Sequence, residues 1–85
     1  MPSEITELEK LKNPIAFPSP ALDKLYLSGI EYFYRYSILN LFGQVLKQGR
    51  IDKNLTLDVK FLSAGNYLIR FEGNQNFQTE RFIKL

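Results

Sequence analysis

From Asp23 onward the chain is cut into short alternating runs by a turn signal about every 8–12 residues, and this rhythm constrains the fold more than any other feature. Lys24-Leu25-Tyr26-Leu27 stops at Ser28-Gly29, and Tyr32 to Asn40 stops near Gly43. Gln44 to Gln48 stops at Gly49, and Asn54 to Val59 runs into Ser63-Ala64-Gly65. Asn66 to Glu72 stops at Gly73-Asn74, and the last run spans Phe77 to Leu85. Upstream, Pro14, Pro18 and Pro20 forbid a regular helix but permit a short edge strand around Ile15–Phe17. Six or seven short strands so punctuated predict a β-sandwich or barrel.

Parity within the runs supports strands over helices. Leu55, Leu57 and Val59 alternate with Thr56 and Asp58; Tyr67, Ile69 and Phe71 alternate with Leu68, Arg70 and Glu72. Successive side chains of a strand point to opposite faces, so each run has an apolar and a more polar face. The expected inward residues are Tyr36, Ile38, Leu57, Val59, Tyr67, Ile69, Phe71 and Ile83. Seven Phe and five Tyr in 85 residues suit such half-buried pleated surfaces.

Residues 1–12 read differently. They are charged and lack alternation; Ile5, Leu8 and Leu11 recur at intervals of three, as in one short helical stripe. The expected organisation is a linker or short helix over 1–12 and one domain over 13–85. Net charge is +2, with five acids and three bases in residues 1–31 against four acids and eight bases in 32–85. That mild basic bias falls short of a nucleic-acid arm. Met1-Pro2-Ser3-Glu4 has neither the basic nor the apolar region of a signal peptide, so if the protein is exported, its signal for the inner membrane is expected outside this sequence. No apolar run approaches the roughly 18 residues of a membrane span.

With no Cys and no His, the chain has no disulfide framework, no thiolate metal site and no imidazole base. A Ser-His arrangement is impossible within it. The nine carboxylates form no evident catalytic pair, and no Gly-rich phosphate cradle is present. No cofactor is expected. Tyr32-Phe33-Tyr34-Arg35-Tyr36 has the aromatic and basic content of a base-stacking platform. Its three tyrosines share parity with Ile38, so packing on one strand face is the expected use. Arg70 and Glu72 share a face and are expected in a cross-strand ion pair. Arg81 and Lys84 guard an edge strand or are read by a partner. Asn54-Leu55-Thr56 fits a glycosylation sequon, but its expected strand setting argues against modification.

The order of motifs resembles the C-terminal sorting domains of the Bacteroidota type IX secretion system. Those domains open with a "PNP"-like element and a short strand, here Pro18-Ser19-Pro20 and Asp23-Lys24-Leu25-Tyr26-Leu27. A strand, an "N-L-x-G-Q" turn and a second strand follow, here Ser37 to Leu46 with Asn40-Leu41-Phe42-Gly43-Gln44. Next comes "L-P-A-G-x-Y-x-x-R", here Leu62-Ser63-Ala64-Gly65-Asn66-Tyr67-Leu68-Ile69-Arg70. A basic-apolar strand closes the pattern, here Thr79 to Leu85. Two positions depart from it: Ser19 replaces Asn and Ser63 replaces Pro.

The resemblance implies an all-β, immunoglobulin-like antiparallel sandwich without catalytic activity. It implies an address that directs an upstream cargo through the outer membrane, for cell-surface attachment or release. The implied partners are the type IX translocon, a shuttle protein and a sortase-like peptidase, met in the periplasm in transit to the surface. The implied signal positions are Pro18, Pro20, Asn40, Gly43, Ala64, Gly65, Tyr67, Arg70, Arg81, Lys84 and Leu85. A generic sandwich for adhesion or carbohydrate binding is the alternative; it needs an exposed aromatic platform or a metal loop.

Overall fold

The alternating runs become seven antiparallel strands in two sheets. In the computed structural model, which describes residues 14–85, β1 is Ile15–Phe17, β2 Lys24–Ser28 and β3 Arg35–Leu39. β4 is Val45–Arg50, β5 Thr56–Asp58, β6 Gly65–Glu72 and β7 Phe77–Lys84. One sheet has the order β1-β2-β5, the other β4-β3-β6-β7. This is an immunoglobulin-like arrangement, with the first, second and fifth strands facing the other four. The sandwich expected from the sequence is therefore present. The linker or helix expected over 1–12 lies outside the described residues.

The core forms where the two inner faces meet. Leu25, Leu27 and Leu57 come from the smaller sheet; Tyr36, Ile38, Ile69, Phe71 and Phe82 come from the larger. Val59, Leu62 and Ala21 close its margin. Of the expected inward residues, Tyr36, Ile38, Leu57, Val59, Ile69 and Phe71 are buried, and Tyr67 packs half-buried against the core.

Ile83 is a correction: it is 40% exposed, and Phe82 is fully buried in its place. Phe82 and Ile83 are adjacent, so alternation in the sequence leaves the parity of this run open. But β7 has eight residues while the strands of the smaller sheet have three, five and three, so only the end of β7 has a layer above it. There Phe82 lies opposite Tyr67 in register, with ring centroids 5.7 Å apart. A slip of one residue exchanges the two faces of a strand, so this aromatic pair sets the parity of all of β7.

Three other expectations change for local reasons. Gly49 does not end a run but lies inside β4 opposite Tyr36, whose ring sits 3.6 Å from where a Cβ would be. Tyr32 and Tyr34 do not share the buried face of Tyr36; both precede β3 and are exposed, while Phe33 packs on Phe71 with centroids 6.1 Å apart. Leu55 falls before β5 with φ +55 and is exposed, and Asn54 is in a turn where its N–H donates to Asp52 Oδ1, not in a strand.

Candidate functional site

Antiparallel topology sorts the loops onto two ends of the sandwich. β3, β5 and β7 run toward one end, and β2, β4 and β6 start from it, because Lys24 pairs with Asp58, Leu39 with Val45 and Gly65 with Lys84. The segment 18–23, the turn 40–44, the loop 59–64 and Leu85 consequently converge there. Eight of the eleven positions expected to carry a signal belong to these segments or border them, and Tyr67 and Arg81 lie two to three residues into β6 and β7 from this end. Arg70 lies within β6, farther along the sheet.

Pro18 and Pro20 flank a strap that crosses the end of β7. The Phe17–Pro18 and Ser19–Pro20 peptide bonds are cis. Ser19 Oγ accepts the Ile83 N–H at 3.0 Å. Ala21 N–H donates to the Ile83 carbonyl at 2.7 Å, and Leu85 N–H donates to the Ala21 carbonyl at 2.8 Å. Residues some 64 positions apart in sequence thus form one hydrogen-bonded unit. The edge of β7 at Lys84 is bridged by Ala21 of the same chain. Ser19, named in the sequence only as a departure from a pattern, supplies an acceptor that an Asn carbonyl also supplies.

Asn40 builds the β3–β4 turn. Gly43 N–H donates to its carbonyl and its own N–H donates to Gln44 O, each at 3.0 Å. Its side-chain Oδ1 accepts from Phe42 N at 2.9 Å and Gln44 N at 3.0 Å, and Nδ2 donates to Gln44 Oε1 at 2.8 Å. Asn at the first corner of a type I turn with Gly at the fourth fits this pattern. Gly43 has φ +87 and no atom within 4 Å of a Cβ position, so conformation, not space, calls for glycine. The turn holds Phe42 93% exposed and Leu41 57% exposed.

Ala64, Gly65 and Tyr67 belong to the entry into β6. The Tyr67 hydroxyl donates to the Ser63 carbonyl at 2.7 Å, which ties the loop back on the strand. A tyrosine near the start of this strand, bonded to backbone a few residues upstream, is the tyrosine corner of immunoglobulin-like sandwiches. Tyr67 is thereby a structural residue whatever else it contacts.

The charged positions separate. Arg81 is exposed on the outer face of the larger sheet, opposite Leu68; Lys84 shares the parity of Phe82 and its Nζ donates to the Leu85 carbonyl at 2.9 Å. Arg70 makes no ion pair with Glu72 or a neighbour among the described residues. Its guanidinium lies 4.2 Å from the centroid of the Phe77 ring, and its buried Nε has no hydrogen-bond partner. Cross-strand neighbours in the adjoining row bring Phe77 under Arg70, and cation–π contact replaces the expected pair. Glu72 instead accepts from Ser37 Oγ at 3.5 Å. Asp52 and Asp58, the acids nearest β5, each accept a backbone N–H two residues on, so both are used as turn acceptors. No group of three His, Cys, Asp or Glu among the described residues is placed to hold a metal.

Sequence reasoning passed over Leu41 and Phe42, although both were within a recognised motif. The available signal was apolar side chains at turn corners, where polar residues are usual. A model of the family described as secretion system C-terminal sorting domain matches residues 15–85. No curated protein matches the chain.

Proposed function

The chain belongs to the secretion system C-terminal sorting domain family, and from that premise we propose that it is a non-catalytic module, residues 13–85, read as a folded object. In this reading it directs a cargo joined to its N-terminus, through the linker 1–12, across the outer membrane by the type IX system. The cargo is then attached to the cell surface or released. The translocon, a shuttle protein and a sortase-like peptidase are the partners, and the periplasm is the compartment crossed on the way.

The convergence of the dispersed motifs on one end of the sandwich carries this reading. Residues 18–20, 40–44, 64–67 and 81–85 are neighbours only when the domain is folded. An extended chain of this length spreads them over more than 200 Å, at about 3.3 Å per residue. A reader of the whole set must meet the native fold.

The test is a reporter carrying an inner-membrane export signal, fused to the complete 85-residue chain in a bacterium with a type IX system. Reporter outside the cell is compared with that from a fusion to residues 77–85 alone. Export is expected with the whole chain and not with the isolated strand. Equal export by both would replace the folded signal with a linear tail.

A further inference from the structure

We propose that the Leu41-Phe42 corner of the β3–β4 turn is a hydrophobic anchor that inserts into an apolar, Phe-sized pocket of the protein that receives the domain. The inference rests on the sorting reading above and names the contact through which it operates.

The buried core is built without the corner. Phe42 is 93% exposed and Leu41 57% exposed, while the core holds Ile38, Ile69, Phe71 and Phe82 without them. Turn chemistry does not require them either. Asn40 and Gly43 supply the side-chain acceptor and the positive φ, and the two positions between accept almost any residue. Two large apolar side chains there are nonetheless carried on a backbone held by the Asn40 bonds. A backbone fixed in advance leaves only side-chain rotamers to be ordered on binding, which favours a strong contact point.

The surroundings favour a protein pocket. From Asn40 to Leu46 no residue is charged, so the turn itself carries no ion into an apolar cavity. Behind the corner, Val45, Leu39 and Leu68 form a cross-strand row on the outer face that ends at Arg81, with Ile83 diagonal to Leu68. Val45 is 52% exposed and Ile83 40%, and they form the apolar margin that shields a central anchor from water. A membrane is the poorer fit. A single myristoyl chain gives only marginal attachment, and one Phe with one Leu offers less apolar length.

The experiment uses the full chain fused to the exported reporter, with Leu41→Ser/Phe42→Ser as the test variant. Tyr34→Ser is the control, an exposed aromatic at the opposite end. The double variant is expected to keep the wild-type melting temperature and to bind its receiver roughly 30-fold or more weakly, seen as loss of reporter outside the cell. Tyr34→Ser is expected to export normally, and Phe42→Leu to recover part of the signal. Double-variant export within twofold of wild type overturns the anchor and leaves the sorting reading intact. A lowered melting temperature makes the corner structural and likewise overturns it. Sedimentation of the purified wild-type chain, but not the double variant, with phosphatidylethanolamine–phosphatidylglycerol vesicles would assign the corner to a membrane instead. A wild-type fusion exported no better than the bare reporter sinks the sorting reading and the anchor with it.

Discussion

Replacing Phe82 and Ile83 in turn tests the packing of the terminal strand. Phe82 is fully buried and stacks on Tyr67, whereas Ile83 is 40% exposed on a face with no second layer. Phe→Ala in a core costs about 3–5 kcal/mol, through lost transfer energy and the cavity left behind. A single core in a domain of this size rarely supplies more than about 3–5 kcal/mol, so Phe82→Ala should leave the chain close to unfolded. Ile83→Ala removes three carbons at about 0.8 kcal/mol each when fully buried, which its exposure reduces to about 1–1.5 kcal/mol. With a urea slope near 1 kcal/mol/M, the midpoint should fall by about 3 M or more for Phe82→Ala and by about 1 M for Ile83→Ala. Phe82→Leu, with a smaller loss, keeps a transition measurable if the alanine variant does not fold. Urea unfolding followed by far-ultraviolet circular dichroism reads all three. A larger shift for Ile83→Ala than for Phe82→Ala would mean that β7 is packed with the opposite parity.

Ser19→Ala removes the acceptor for the Ile83 N–H and should cost about 0.5–1.5 kcal/mol, with Ser19→Asn restoring most of it; amide exchange at Ile83, faster in the alanine variant, is the check. Gly73→Ala should destabilise by about 1–3 kcal/mol in thermal unfolding, because a Cβ there collides with the Tyr32 carbonyl and the Asn76 side chain. Burial, and secondarily the Asp52 carboxylate, raise the Tyr36 phenol above 10.0. The unfolded chain thus releases this proton first, so the contribution of Tyr36 is complete below pH 10 and declines as pH rises through the folded value. The midpoint of Tyr36→Phe should therefore fall less steeply than that of the parent in this range.

Strand number, strand order in the chain and most of the core were legible because they depend on local period. Runs such as Leu57-Asp58-Val59 and Tyr67 to Phe71 alternate without ambiguity. What failed depended on the partner across the sheet. Phe82 and Ile83 are adjacent, so parity alone could not choose between them; the choice came from Tyr67 and from how far the smaller sheet reaches. Gly49 looked like punctuation because its reason for being glycine, the Tyr36 ring, is on another strand. Arg70 and Glu72 looked like half of an ion pair because no rule for spacing could place Phe77 beside Arg70. The expected signal positions came from resemblance, and the meeting of most of them at one end needed the register of the β-ladders.

That meeting also changes what the end of the chain is. A basic-apolar segment ending a sequence invites the picture of a free edge or tail awaiting a partner strand. Here Ser19 takes the Ile83 N–H, Ala21 bonds to Ile83 and Leu85, and Lys84 turns back on the Leu85 carbonyl. The edge at the terminus is closed from within, which also guards it against pairing with another chain. Adding a partner strand at residues 83–85 would first require displacing the strap, with two backbone bonds and one to a side chain to replace. The β3–β4 turn requires no such opening: its backbone is already bonded, and its two apolar side chains already face solvent. On physical grounds a protein docking at this end would meet projecting side chains before it could add a strand.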